Sequence, residues 1–190
     1  MDTIYETDKW PFVKARYFTK SSTRRDVRVT VLHSIEAQEK GDTAEQTAKY
    51  FQNPKKKVSA HICVDNNSIV QCVLDNDVAY AAPGANHDGI QIEMAGYARQ
   101  SKADWLDSYS TLVIENAANA TAQYCLKYSI PVRRLTNAKL GDAKTTGIVS
   151  HSQVSDVFKK STHSDPGMGF PWAYYLERVR IYYDRRKQSP

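Results

Sequence analysis

Two short runs far apart in the chain, VRVTVLH at 27–33 and GIVSH at 147–151, are rich in apolar and β-branched residues, and each ends on a histidine. Runs of this kind make strands, and both would deliver an imidazole at the carboxyl end. Helical patterns and further strand patterns lie between them. Strands interleaved with helices predict an α/β sheet domain.

The pattern can be followed segment by segment. TAEQTAKYF at 43–51 predicts a short helix with Thr43 as N-cap and Gln46 completing a capping box, stopped by Asn53-Pro54. VSAHICVDNNSIVQCVL at 58–74 is two apolar runs around Asp65-Asn66-Asn67-Ser68, which predicts a β-hairpin. In GIQIEMAG at 89–96, Ile90 and Ile92 face one side of a strand while Gln91 and Glu93 face the other, so a carboxylate stands on the non-core face. From Asp107 to about Tyr128, residues Ile114, Ala117, Ala118, Thr121, Cys125 and Tyr128 recur at helical spacing until Pro131 closes the segment. WAYYLERVRIYYDRR at 172–186 predicts a terminal amphipathic helix begun after Phe170-Pro171. No repeat, low-complexity tract or linker interrupts the chain.

A length of 190 residues is that of one domain with a real core. The net charge of +5, from 26 Lys and Arg against 21 Asp and Glu, suits an anionic partner such as nucleic acid, anionic lipid or cell wall. The basic runs Lys55-Lys57 and Arg185-Lys187 are short and read as solvated loop and tail. Without an RNP, zinc-finger or helix-turn-helix pattern, no nucleic-acid partner is expected. The opening MDTIYETDKW lacks the basic start and apolar run of a secretion signal, and no later stretch could span a bilayer. A soluble chain made in the cytoplasm, with no membrane insertion, is expected. Cys63, Cys72 and Cys125 are odd in number and without CxxC spacing, which predicts buried thiols rather than disulfides or a cysteine zinc site.

The chemistry lies in the two strand-end histidines and in STHSDPG at 161–167. His33 and His151 could stand side by side at one sheet edge, with Asp165 following in a Pro/Gly loop. Hydrolytic zinc takes three nitrogen or oxygen ligands and leaves a fourth position for water. Two histidines and an aspartate meet that requirement, but no HExxH helix fixes two ligands at once. From spacing alone, metal ligation, proton donation and plain loop roles all remain open for His33, His151, His163 and Asp165.

Five segments in order carry a resemblance: VTVLHSIEA, NPKKKVSAHICVD, GANHDGIQIEMAG, GIVSHSQVS, and HSDPG followed by FPW. Over roughly Val27 to Trp172 the chain resembles the zinc-dependent N-acetylmuramoyl-L-alanine amidases of the type 2 family. That family includes phage endolysins and bacterial amidases and is related to the peptidoglycan recognition proteins. The resemblance implies a single α/β domain over residues 1–190, with a central mixed β-sheet flanked by α-helices and no separate wall-binding domain.

It also implies zinc held by His33, His151 and Asp165, with water activated for attack on the amide between N-acetylmuramic acid and L-alanine of the stem peptide. Glu93 matches the glutamate that acts as general base and then as proton donor to the leaving amine. The chain departs from familiar members at two positions. Ala60 replaces a tyrosine before the hairpin histidine, and His163 replaces a lysine two residues before the aspartate ligand. His163 is expected to donate a hydrogen bond to the developing oxyanion. It is also the competing third ligand, over which the motif match favours Asp165. His61 and Asn86 fall where the family shapes its substrate cleft.

The expected function is therefore that of a peptidoglycan amidase, acting as a phage or prophage lysin on the wall or in the periplasm after release. The alternatives are a non-catalytic muropeptide-binding module and a recycling amidase. A monomer is the default expectation.

Overall fold

The computed structural model describes residues 10–23 and 25–188, so the acidic start read above lies outside the described residues except for Trp10. β1 (Val29–Ser34) is buried at every position and occupies the interior of a five-stranded sheet. Its β-branched residues suit a strand covered on both faces. It pairs in parallel with β4 (Gly89–Met94) on one side and β5 (Gly147–Ser150) on the other. β2 (Ile62–Val64) adds in parallel to β4, and β3 (Ile69–Gln71) returns antiparallel to β2, giving the order β3-β2-β4-β1-β5. The expected mixed sheet flanked by helices in a single domain is what forms.

The hairpin turns where the sequence places it. Asp65 Oδ1 accepts from the backbone N–H groups of Asn67 and Ser68 at 3.0 and 2.8 Å, a local carboxylate bond that closes the turn. Around the sheet run α1 (Thr43–Tyr50), α2 (Lys102–Trp105), α3 (Ser108–Lys127), α4 (Asn137–Gly141), α5 (His151–Phe158) and α6 (Trp172–Gln188). Helix α3 begins at Asp107, whose side chain accepts from Ser110 N–H, and covers the face bearing Leu32, Ile62, Ile90 and Ile92. Helix α6 packs over α3, with the hydroxyls of Tyr175 and Thr121 2.5 Å apart. On the opposite face α1 covers β2 and β3 through Ala44, Ala48 and Phe51, while Val154 of α5 and Leu140 of α4 cover Val31 and Val149. Each fully buried aliphatic side chain contributes roughly 1.5–3 kcal/mol.

Two local expectations are corrected. The N-cap of α1 is Asp42, which makes no side-chain cap bond to the backbone. Instead Gln46 Nε2 donates to Asp42 Oδ2 at 2.7 Å, and Thr43 is buried in the first turn with its hydroxyl donating to Gln38 O. His151 does not end β5. Ser150 ends the strand and caps α5 through a reciprocal bond pair with Gln153, so His151 opens that helix. The three cysteines are free and buried, as expected.

His61 lies beneath the sheet rather than in a cleft. It is fully buried; its Nδ1 accepts from Gln91 N–H at 2.9 Å and its Nε2 donates to Asp77 O at 3.1 Å. Burial, and after it the Arg25 guanidinium, push this imidazole down to about 3. The unfolded chain takes up that proton near pH ~6.5, so below it the unfolded state binds more protons than the folded one. His61 therefore withdraws stability as pH falls from about 6.5 toward 3, by up to about 1.4 kcal/mol per pH unit. Urea unfolding across that range should show a shallower acid-side loss in His61→Gln than in the parent.

Candidate functional site

The parallel register sets the site. His33 of β1 lies opposite Glu93 of β4, and Leu32 opposite Ser150 of β5, so the residue after Ser150, His151, emerges beside His33. The three side chains meet at the carboxyl ends of adjacent parallel strands, where open α/β sheets form their binding crevices. Asp165 arrives from the loop between α5 and α6, with Asp165 O accepting from Ser152 N–H at 3.0 Å. Gly167, at φ +91°, lies so close to the chain at Ala98 that a Cβ would stand 1.8 Å from Ala98 O. Only glycine lets the loop approach that closely.

His33 and His151 are each 2% exposed and Asp165 5%. Asp165 Oδ2 lies 3.2 Å from His33 Nδ1, and Asp165 Oδ1 lies 3.2 Å from His151 Nδ1. One donor atom from each of the three residues can be chosen so that all lie within 4.8 Å of one another. A tetrahedral ion with bonds of about 2.0–2.1 Å would space its ligands roughly 3.3 Å apart. The two 3.2 Å contacts are close to that spacing, so two imidazole nitrogens and a carboxylate here could hold a metal ion.

Glu93 Oε1 stands 3.9 Å from His33 Nδ1. The side chain of His163 remains 63% exposed, with its ring stacked on His151 at 4.2 Å and its Nδ1 3.4 Å from Asp165 Oδ1. His163 is thus the exposed member of the cluster and Asp165 the buried one.

The charges are strongly coupled. Burial disfavours the His33 imidazolium, but the Glu93 and Asp165 carboxylates outweigh it and hold this group at about 9. Burial also works against the Asp165 carboxylate, yet His151 and His33 keep it ionised well below the usual carboxylate range. His151 is pushed down by burial, with His33 and His163 adding to the effect against Asp165. Glu93 is raised to about 7 by burial and by the negative charges of Asp165 and Glu36, against His33.

These residues line a groove of about 620 Å³. One wall is the turn after β1, including Glu36 and Lys40; the other is α1 with Thr43, Gln46, Thr47 and Tyr50, continued by Val58, Ser59 and Tyr80. Glu36 adopts φ 58°, with its Oε1 accepting from Ser34 Oγ at 2.6 Å and Ala98 N–H at 2.7 Å.

His61 and Asn86, expected at the cleft, do not line the groove. Asn86 Oδ1 accepts from Ala81 and Ala82 N–H at 3.2 and 2.7 Å and so pins a turn. Sequence reasoning misses the groove residues Glu36, Tyr50 and Tyr80: Glu36 lies in the segment VTVLHSIEA but the segment assigns it no role, and Tyr50 and Tyr80 carry no motif of their own. Gln91, bonded to His33, had a usable signal in its place two residues before Glu93 on the same strand face.

The comparisons agree with this geometry. Residues 23–168, about three quarters of the chain, match the family model described as N-acetylmuramoyl-L-alanine amidase. A search of curated protein sequences gives no match. Among solved structures, the hydrolase AmiA of Staphylococcus aureus, determined with its ligand, is similar at TM-score 0.67 and 16% identity, over 95% of this chain and 88% of that one. A mutant endolysin from Bacillus subtilis is similar at TM-score 0.60 and 15% identity, over 91% and 99%. The N-acetylmuramoyl-L-alanine amidase LysC of Clostridium intestinale gives TM-score 0.52 and 15% identity, over 92% and 99%. Identities this low carry the fold alone, whereas the sequence match spans the strands, the ligand loop and the groove. On that match the chain belongs to the N-acetylmuramoyl-L-alanine amidase family and is a peptidoglycan-cleaving enzyme.

Proposed function

We propose that this amidase works with one zinc ion held by His33, His151 and Asp165, with Glu93 as its proton carrier. The observation that carries the reading is the convergence of His33 Nδ1, His151 Nδ1 and the Asp165 carboxylate where they line the groove. Zinc in such a site acts as a Lewis acid and lowers the pKa of water toward ~7.

Glu93, raised above the ordinary carboxylate range by burial and by Asp165 and Glu36, stands beside the cluster where it can take a proton from the attacking water and return one to the leaving amine of L-alanine. His163, exposed above the ligand cluster, is placed to donate a hydrogen bond to the oxygen of the scissile carbonyl as it gains charge. The walls formed by the β1 turn and α1 leave an extended channel for the glycan and stem peptide on either side of the amide. The likeness to an endolysin fold supports a role as a phage or prophage lysin. Among the described residues no helix is long and apolar enough to cross a membrane.

Digestion of purified cell walls should release new N-terminal alanine without new reducing ends, and a product set of sugar ends or other peptide ends would remove the amidase reading. Metal analysis separates the two candidates for third ligand. Asp165→Ala should lose zinc, whereas His163→Ala should retain it and lose turnover; the reverse pattern would exchange their roles. Glu93→Gln should keep its zinc and slow turnover by roughly 10²-fold or more, read as kcat on a muropeptide amide.

A further inference from the structure

The groove-facing nitrogen of His33 is Nδ1, and what selects it lies behind the ring. His33 Nε2 is 2.9 Å from Gln91 Oε1 in a fully buried contact. The other end of the same amide is committed: Gln91 Nε2 donates to Ala85 O at 2.8 Å. A backbone carbonyl only accepts, so the Gln91 amide must present nitrogen to Ala85 and oxygen to His33. An amide oxygen in turn only accepts, so His33 must carry its proton on Nε2. Nδ1 is then the lone-pair nitrogen whenever the ring is neutral.

A second observation shows that this arrangement is built into the backbone. Ala85 O approaches so closely only because residue 89 is glycine: a Cβ there would stand 2.4 Å from Ala85 O and 2.8 Å from Gln91 Nε2. The Gln91 backbone is fixed as well, since its N–H donates to the buried Nδ1 of His61 at 2.9 Å. Both ends of Gln91 are therefore anchored before it meets His33. The other histidine has a softer support: His151 Nε2 lies 3.4 Å from the Ser161 hydroxyl, which can either donate or accept.

We propose that Gln91, oriented by Ala85 O, is a positioning residue that fixes the tautomer and ring angle of His33 so that Nδ1 is the metal donor. The proposal rests on the zinc reading above. A ligand held this way keeps its ring angle and its Nε2 proton when the ion arrives and gives up only the proton on Nδ1, and partners of this kind are worth roughly 10- to 100-fold in metal affinity.

The test is zinc binding by the full chain, measured by competition with a chromophoric chelator, with circular dichroism confirming the fold of each variant. Gln91→Met keeps the length and removes the acceptor, and should bind zinc roughly 10- to 100-fold more weakly than the parent. Gln91→Glu, buried as the neutral acid with its hydroxyl donating to Ala85 O, restores an acceptor toward His33 Nε2 and should recover most of that loss. Equal affinity in the parent and Gln91→Met overturns the proposal, as do equal losses in Met and Glu, which would mark a packing effect. A parent chain that binds no zinc overturns the metal reading itself, and this inference with it. A measurement that needs no variant is 15N NMR of the zinc-loaded parent, which should show His33 protonated on Nε2 and ligated through Nδ1. Ligation through Nε2 overturns the assignment.

Discussion

Everything at the site depends on the parallel register of β4, β1 and β5. Because β1 pairs with both neighbours without a bulge, His33, Glu93 and the first residue beyond Ser150 reach the same sheet edge together. A slip of one residue in either pairing would turn a functional side chain to the opposite face. The core opposes such a slip, since Leu32, Ile90 and Ile92 would move at the same time from beneath α3 toward α1 and α5. Burying those aliphatic residues is therefore also what aligns the polar ones.

The aligned groups form an electrostatic unit in which no member has its ordinary character. Asp165 remains charged at 5% exposure because two imidazoles face its two oxygens. Glu93 is the member with the least direct support, having no hydrogen bond to His33 at 3.9 Å, and it is the one raised into the neutral range. A carboxylate needed for proton traffic benefits from that weak support, whereas one needed as a permanent negative charge benefits from strong support.

The legibility of the site follows from these origins. Glu93 sits in a strand whose period-2 pattern shows its facing, so its position and orientation could both be read, whereas for His33, in a strand buried on both faces, only the place near the strand end was legible. Asp165 comes from a loop whose path is set by backbone contact with Ala98, and only an ordered motif match could connect it to the histidines. The place of His151 was legible but its element was not: the same Ser150 that ends β5 caps α5, and a strand and a helix meet without a loop. Thr43 looked like a cap because capping-box spacing depends on sequence alone, yet the helix starts one residue earlier than that reading requires, with Asp42 at the N-cap position and no side-chain cap bond. His61 was misplaced because a histidine next to a hairpin gives no sign of whether it points into a groove or beneath a sheet. Its surroundings of Arg25, Asp77 and Gln91 are assembled from three distant segments.

Ala98 links two parts of the groove that sequence keeps far apart. Its N–H holds Glu36, which forms one wall, and its carbonyl is the surface on which the Asp165 loop rests at Gly167. That wall and the Asp165 loop thus share one fixed abutment, and a backbone shift that widened the groove there would be transmitted to the carboxylate. The α1 wall packs through Ala44 and Ala48 against the hairpin strands and is joined to the β1 turn by Thr43, whose hydroxyl donates to Gln38 O and accepts from Lys40 N–H. The two sides of the groove are thus joined, since a movement of α1 would reach the β1 turn through Thr43 and, through Glu36 and Ala98, the loop that carries Asp165.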